Sequence, residues 1–194
     1  MNKSKHGALV VLERNIEVLA GESVAEKVME GSEEITEKTD KRKTAEWVKN
    51  AIKRLDASVN EDAKIRIMEN CGYNCAKVNK KVIQRAKARR SKSRSVDEFL
   101  AAEQKKPMSG TRLIREGNTL FQFYTPQAFT RPMRCYCSLF RGLPNDETVS
   151  STYCHCSKGF VKKFWEGVLE KPVQVDVVQS AISGASECKF VIKF

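Results

Sequence analysis

The chain has 194 residues, of which 41% are hydrophobic and 30% charged. That composition excludes a disordered chain and suits one generous domain or two small ones. The formal net charge is +11, yet no apolar run approaches the roughly 18 residues needed to span a bilayer, which excludes a membrane-spanning helix.

The start, Met1-Asn2-Lys3-Ser4-Lys5, is basic but is not followed by an apolar stretch. A signal peptide is therefore not expected, and a cytoplasmic protein without a membrane partner is. In that compartment paired thiols point to metal or redox chemistry more than to structural disulfides.

Residues 5–20 read as a helix, with Leu9, Leu12, Ile16 and Leu19 at helical spacing and Gly21 at its end. A second helix covers 22–29, and 31–43 is polar enough for a loop or a frayed helix. Residues 44–57 are amphipathic, with Val48, Ile52 and Leu55 on one face. Asn60 is placed to cap a helix carrying Ile65, Ile67 and Met68. That helix reaches Cys71-Gly72-Tyr73-Asn74-Cys75, where Gly72 ends or bends it. A further helix over 76–90 buries Val78, Val82, Ile83 and Ala86, and Ser95 with Glu98 caps a short one.

After Gly110 the period changes. Residues 111–116 and 119–124 read as strands joined by Gly117-Asn118. Residues 133–138 are expected as a third strand and 143–151 as a polar loop. Ser157 is expected to cap a helix ending near Glu170. Residues 173–182 and 188–194 form a closing hairpin around a loop at 183–187. The result is an α+β fold: a helical region over 1–106, then a domain over 107–194 in which an antiparallel sheet packs on helices.

Seven cysteines carry the chemistry. Cys71 and Cys75, four apart, share a face if the helix is uninterrupted, and can both reach one ion from a loop if Gly72 breaks it. Cys135 and Cys137, and Cys154 and Cys156, form two Cys-x-Cys pairs. In extended chain each pair points two thiols the same way, so these six residues are candidate ligands for zinc or an iron–sulfur cluster. Redox or nucleophilic thiols, and plain buried cysteines, are the competing readings. His155 would face away from its neighbouring cysteines in a strand. Phe121, Phe123, Tyr136, Phe160, Phe164 and Trp165 either line an apolar pocket or form the core of a sheet-on-helix domain.

Between Lys77 and Arg94 stand nine basic residues and no acidic one. A solvated helix face is the plain reading, and a nucleic-acid or other polyanion partner the sharper one. The absence of interleaved aromatics argues against single-stranded nucleic acid. No phosphate loop, dinucleotide fingerprint, nucleophile elbow or zinc-protease motif is present.

Tyr153-Cys154-His155-Cys156, Gly159-Phe160, Pro172-Val173-Gln174-Val175, Gly184 and Cys188-Lys189-Phe190-Val191-Ile192 occur in that order. This series resembles the vinyl reductase domain, a small-molecule-binding module, over residues 107–194. The resemblance implies a fold shared with haem-based nitric oxide sensors and transport-particle subunits. It also makes His155 and Cys188 candidate pocket residues. The Cys71–Cys75 segment is similar to aminothiazoline-carboxylate hydrolase-like proteins.

Together these readings favour a small-molecule-binding or sensor protein with a cysteine-held metal or cluster. A hydrolase of a small heterocycle, using metal-bound water or a thiolate, is the first alternative. A nucleic-acid-binding regulator is the second.

Overall fold

The computed structural model describes residues 5–125 and 135–194. Six helices come first: α1 (Gly7–Ala20), α2 (Glu22–Met29), α3 (Lys41–Ser58), α4 (Glu61–Val78), α5 (Lys80–Arg90) and α6 (Val96–Lys105). Strands β1 (Thr111–Glu116) and β2 (Thr119–Tyr124) follow, then α7 (Cys154–Leu169), β3 (Gln174–Gln179) and β4 (Cys188–Lys193). The expected α+β class holds.

Local chemistry explains the helix starts. Asp40 accepts hydrogen bonds from the Arg42 and Lys43 amides at the head of α3. Asn60 accepts from Ala63 in α4, and Ser95 from Glu98 in α6. The four strands run antiparallel in the order β1-β2-β4-β3. The closing hairpin is as expected, with β3 ending earlier because Ala181–Ser183 coils into a 3-10 turn. Gly117 takes a φ of 59° in the β1–β2 turn, a conformation that suits glycine.

Two cores result. The first gathers Leu9, Ile16, Val48, Ile52, Leu55 and Ile67 from α1, α3 and α4 beneath Phe140 and Tyr153. The second gathers Phe99, Leu120, Phe164, Trp165, Val175, Phe190 and Ile192 between α6, α7 and the sheet. α7 contributes to both. No helix is long and apolar enough to cross a membrane among the described residues.

Three local expectations need correction. α4 runs unbroken through Gly72, because that glycine serves a helix–helix contact and no chain reversal occurs there. Of the strand expected at 133–138, residues 133 and 134 lie outside the described residues. Tyr136 and Cys137 form a bend and Ser138–Phe140 a 3-10 turn. Tyr136 instead donates its hydroxyl to the Gly110 carbonyl and sets its ring edge-on to Tyr124. Finally, α7 starts at Cys154, ahead of Ser157. Ser150 accepts the Thr152 amide and opens a 3-10 turn, Ser151–Tyr153, that runs straight into the helix.

Candidate functional site

The site begins with a close helix crossing. A Cβ added at Gly72 of α4 would lie 2.0 Å from the Cys156 carbonyl oxygen of α7. One added at Gly159 of α7 would lie 2.3 Å from the Glu69 carbonyl oxygen of α4. The two helices therefore meet backbone to backbone, and small residues permit it.

That crossing gathers thiols from distant parts of the chain. Cys71, Cys135, Cys137 and Cys156 pack, partly buried, against the first core, and Cys154 is a buried member of it. All seven cysteines are free thiols, and Cys75 is the exposed one. Tyr153 donates its hydroxyl to Cys137 Sγ at 3.0 Å. Asn15 Nδ2 donates to Cys71 Sγ at 3.4 Å, and Asn79 Nδ2 to Cys75 Sγ at 3.5 Å. Cys154 Sγ and Ser180 Oγ are 2.7 Å apart, and the Ala181 amide donates to Cys188 Sγ at 3.4 Å.

Burial governs the protonation of these groups. It pushes the Cys71 thiol up to about 11 and Cys154 up to about 12, with Asn15 and Ser180 opposing. Cys135 and Cys156 rise well above the ordinary thiol value, first by burial and then through neighbouring thiols. Burial also raises Cys75 and Cys188. Protonated thiols are poor metal ligands.

The expectation of zinc or an iron–sulfur cluster is overturned. Among the described residues no group of three or more His, Cys, Asp or Glu is arranged to hold a metal ion. The Cys-x-Cys clamp fails for a geometric reason. Cys154 and Cys156 lie on a helix, where residues two apart point about 200° apart. Cys154 Sγ meets Ser180 Oγ, whereas the thiol acting most on Cys156 is Cys71 of α4.

Beside the thiols is a cavity of about 20 Å³. Tyr124, Cys135, Tyr136, Tyr153, Cys154, Ser157, Val177, Ile182, Cys188 and Phe190 line it. Burial raises the Tyr136 phenol to about 12 and pushes Tyr124 and Tyr153 up as well. The wall is thus neutral at ordinary pH.

Of the pocket residues expected from sequence, Tyr136 and Cys188 line this cavity. Phe121 and Phe123 lie beneath the Lys189 ammonium, with the Arg112 guanidinium 3.6 Å from the Phe123 ring centre. Phe160, Phe164 and Trp165 belong to the second core, and Trp165 Nε1 donates to Gln122 Oε1 at 2.7 Å. His155 is half-buried. Its pKa is lowered by burial and then by Lys158, and its Nδ1 has no hydrogen-bond partner among the described residues. Tyr124, Tyr153, Ser157 and Ser180 escaped sequence reading. Their signal was indirect: Tyr124 alternates with Leu120 and Gln122 along β2, the face turned to α7.

The basic run is mostly helical, over the end of α4 and α5, and residues 91–94 form a turn. Lys87 pairs with Glu170 at 2.6 Å, Arg89 with Glu103 at 2.7 Å and Arg94 with Glu98 at 3.2 Å.

Residues 3–194 match the model of a family of unknown function, DUF6144. The chain belongs to the DUF6144 family. No curated protein matches it. Among solved structures, the DUF6144 chain is similar to a mutant H-NOX domain from Shewanella oneidensis in the Fe(II)CO ligation state. Identity is 12%, coverage 98% of each chain, and the TM-score 0.51. It is also similar to a mutant Fe(II) unliganded H-NOX protein from K. algicida. There identity is 12%, coverage 98% of this chain and 96% of that one, and the TM-score 0.51. At such identity the likeness carries the fold alone.

These findings overturn the vinyl reductase and aminothiazoline-carboxylate hydrolase resemblances, since the family model that spans the chain is that of DUF6144 and the fold is like that of H-NOX proteins. The motifs behind them are short. Tyr153-Cys154-His155-Cys156 is a helix start, and the two other runs are ordinary strands of an antiparallel sheet.

Proposed function

We propose that this chain is a small-molecule sensor domain whose ligand is a compact neutral molecule, no larger than a water or a diatomic. The observation that carries this reading is the cavity among Tyr124, Cys135, Tyr136, Cys154 and Cys188. About 20 Å³ of interior room suits one such occupant, since a water needs roughly 10–15 Å³ on this scale. The wall supplies apolar ring faces with a few neutral polar tips, the usual balance of a small-molecule site. In this proposal the helical region 1–106 braces the site and the sheet of 107–194 forms its floor.

The fold is shared with H-NOX proteins, which bind haem. The described residues do not fit that group here. A porphyrin is far larger than the cavity. Neither histidine lines it: His6 caps α1 and sits 3.1 Å from Glu37, and His155 stands on the α4 side of α7 near Lys158 and Glu69. The thiols and phenols that do line it are held protonated by burial, whereas iron takes cysteine as the thiolate. On the basic helix Lys87 and Arg89 are paired with carboxylates, as is Arg94 beyond its end.

The test is an amide NMR titration with dissolved carbon monoxide, beside a hemin titration followed by absorbance. Saturable shifts confined to Tyr136, Ser157 and Cys188, and lost in Cys188→Phe, are expected, with no protein-bound haem band. A stoichiometric haem band lost in His155→Ala would overturn the reading.

A further inference from the structure

The cavity makes no use of the basic run between Lys77 and Arg94, whose nine cations fall into two groups. Lys87, Arg89 and Arg94 are paired with Glu170, Glu103 and Glu98, and Arg90 donates to the Ser93 carbonyl. Lys77, Lys80, Lys81, Arg85 and Lys92 are exposed, and none of them is paired with a carboxylate among the described residues.

The unpaired cations of α4 and α5 share one surface. The two helices are joined through Asn79 alone, and its amide bonds back to the Cys75 carbonyl, so the helical path continues. Lys77, Lys81 and Arg85 follow at intervals of four, the spacing that stacks side chains along one helix face, with Lys80 beside them. The other side of α5 is turned inward, where Ala86 is buried and Ile83 lies against Gly167 of α7. This concentration opposes folding locally. Like charges one turn apart repel, and Lys80 and Lys81 open α5, where the helix dipole disfavours cations and no acidic residue answers them.

The chemistry of the surface selects among anionic partners. A helix that binds a lipid surface lays a row of large apolar side chains into it. Between Lys77 and Lys92 the one exposed large apolar side chain is Val78, at 84%. A protein partner needs an apolar centre to its interface, which is missing for the same reason. Single strands call for aromatic rings on which bases stack, and no aromatic residue stands between Tyr73 and Phe99. The phosphate backbone of a double helix asks for cations alone.

We propose that Lys77, Lys80, Lys81 and Arg85 form a docking surface for the phosphate backbone of double-helical nucleic acid. The contact carries affinity and reads no base sequence. Lys87 and Arg89 stay with their carboxylates and tie α5 to the elements behind it.

The experiment follows the fluorescence anisotropy of labelled duplexes of about 20 base pairs, DNA in one arm and RNA in the other, with the full chain in about 50–200 mM salt. Binding of one duplex or both is expected at the low end. It should weaken roughly 10²-fold across the range, because four phosphate contacts give log affinity a slope of about −3.6 against log salt. Lys77→Gln, Lys81→Gln and Arg85→Gln together should remove most of the affinity and flatten the slope to about −1. Lys27→Gln, Lys38→Gln and Lys53→Gln together take the same charge from exposed sites elsewhere and should bind like the parent. Circular dichroism checks that each variant is folded. If the first is not, the parent's slope and its preference for duplex over a single strand of equal length still decide. Cys188→Phe, which fills the cavity, should bind duplex normally, so failure of the ligand proposal and failure of this one are separable. The proposal is overturned by no duplex binding at low salt, by tighter binding of the single strand, or by equal affinities in the two triple variants. Binding to phosphatidylserine vesicles with none to either duplex would overturn it in favour of a lipid surface.

Discussion

The two cores share α7 but are built from different material. The sheet-side core is aromatic, closing Phe99, Phe164, Trp165 and Phe190 around a buried polar pair, Trp165 with Gln122. The helical core is mostly aliphatic, and its border is sulfur and phenol: Cys71, Cys135, Cys137, Cys156 and Tyr153. Buried polar groups are costly unless paired. The sheet side meets that demand with one short strong bond. The helical side meets it with several bonds to sulfur, Tyr153 to Cys137 at 3.0 Å and Asn15 to Cys71 at 3.4 Å among them. The first arrangement holds one geometry. The second can exchange partners, and the cavity lies where the two meet, lined by Cys135 and Cys154 from one side and Cys188 and Phe190 from the other.

The comparison can be broken most violently at the joint. Gly72→Ala drives a methyl into the α7 backbone, where no side chain can swing aside. A loss of about 3 kcal/mol or more is expected in a urea melt. A parent-like midpoint would show that the crossing is looser than described. Next in size is Trp165→Phe, which leaves the buried Gln122 oxygen unpaired. About 1–3 kcal/mol should be lost, and adding Gln122→Leu should recover part of it.

Alkaline pH sharpens the contrast from the sulfur side. Cys154 gives up its proton near 9 when unfolded and near 12 when folded. The folded state therefore holds the proton more tightly, and its stability falls as pH climbs from about 9 toward 12. Thermal melts should show a larger drop over that range for the parent than for Cys154→Ala. The smallest effect is expected from Tyr153→Phe, which removes one bond to sulfur. About 0.5–1 kcal/mol should be lost, with the α7 start still helical by hydrogen exchange.

Most of the helix layout was legible, because Leu9, Leu12 and Ile16, or Val48, Ile52 and Leu55, recur with a period that has one good explanation. The cysteine region was not. Cys-x-Cys reads as a clamp only if the chain is extended, and what coils it is the Ser150 cap upstream, a weak local signal. On β2 aromatic character drew attention to Phe121 and Phe123, yet the face turned to α7 carries Leu120, Gln122 and Tyr124. A buried glutamine looks like a surface residue until its partner, 43 residues later, is known. Gly72 had the same ambiguity: helix end, bend or contact point are alike in one dimension.

The strand order carries a consequence for synthesis. β2 and β3 are not neighbours, and β4 lies between them, bonded to both. On the ribosome, β3 therefore emerges with no ladder partner, and the β1–β2 hairpin waits with one bare edge. Phe190 and Ile192, both fully enclosed in the finished sheet, arrive after the other three strands. The helical core can assemble while the chain is still growing, but the sheet closes in one event when residues 188–193 clear the exit. Until then it is an unpaired edge strand, the part of the nascent protein most exposed to a wrong partner.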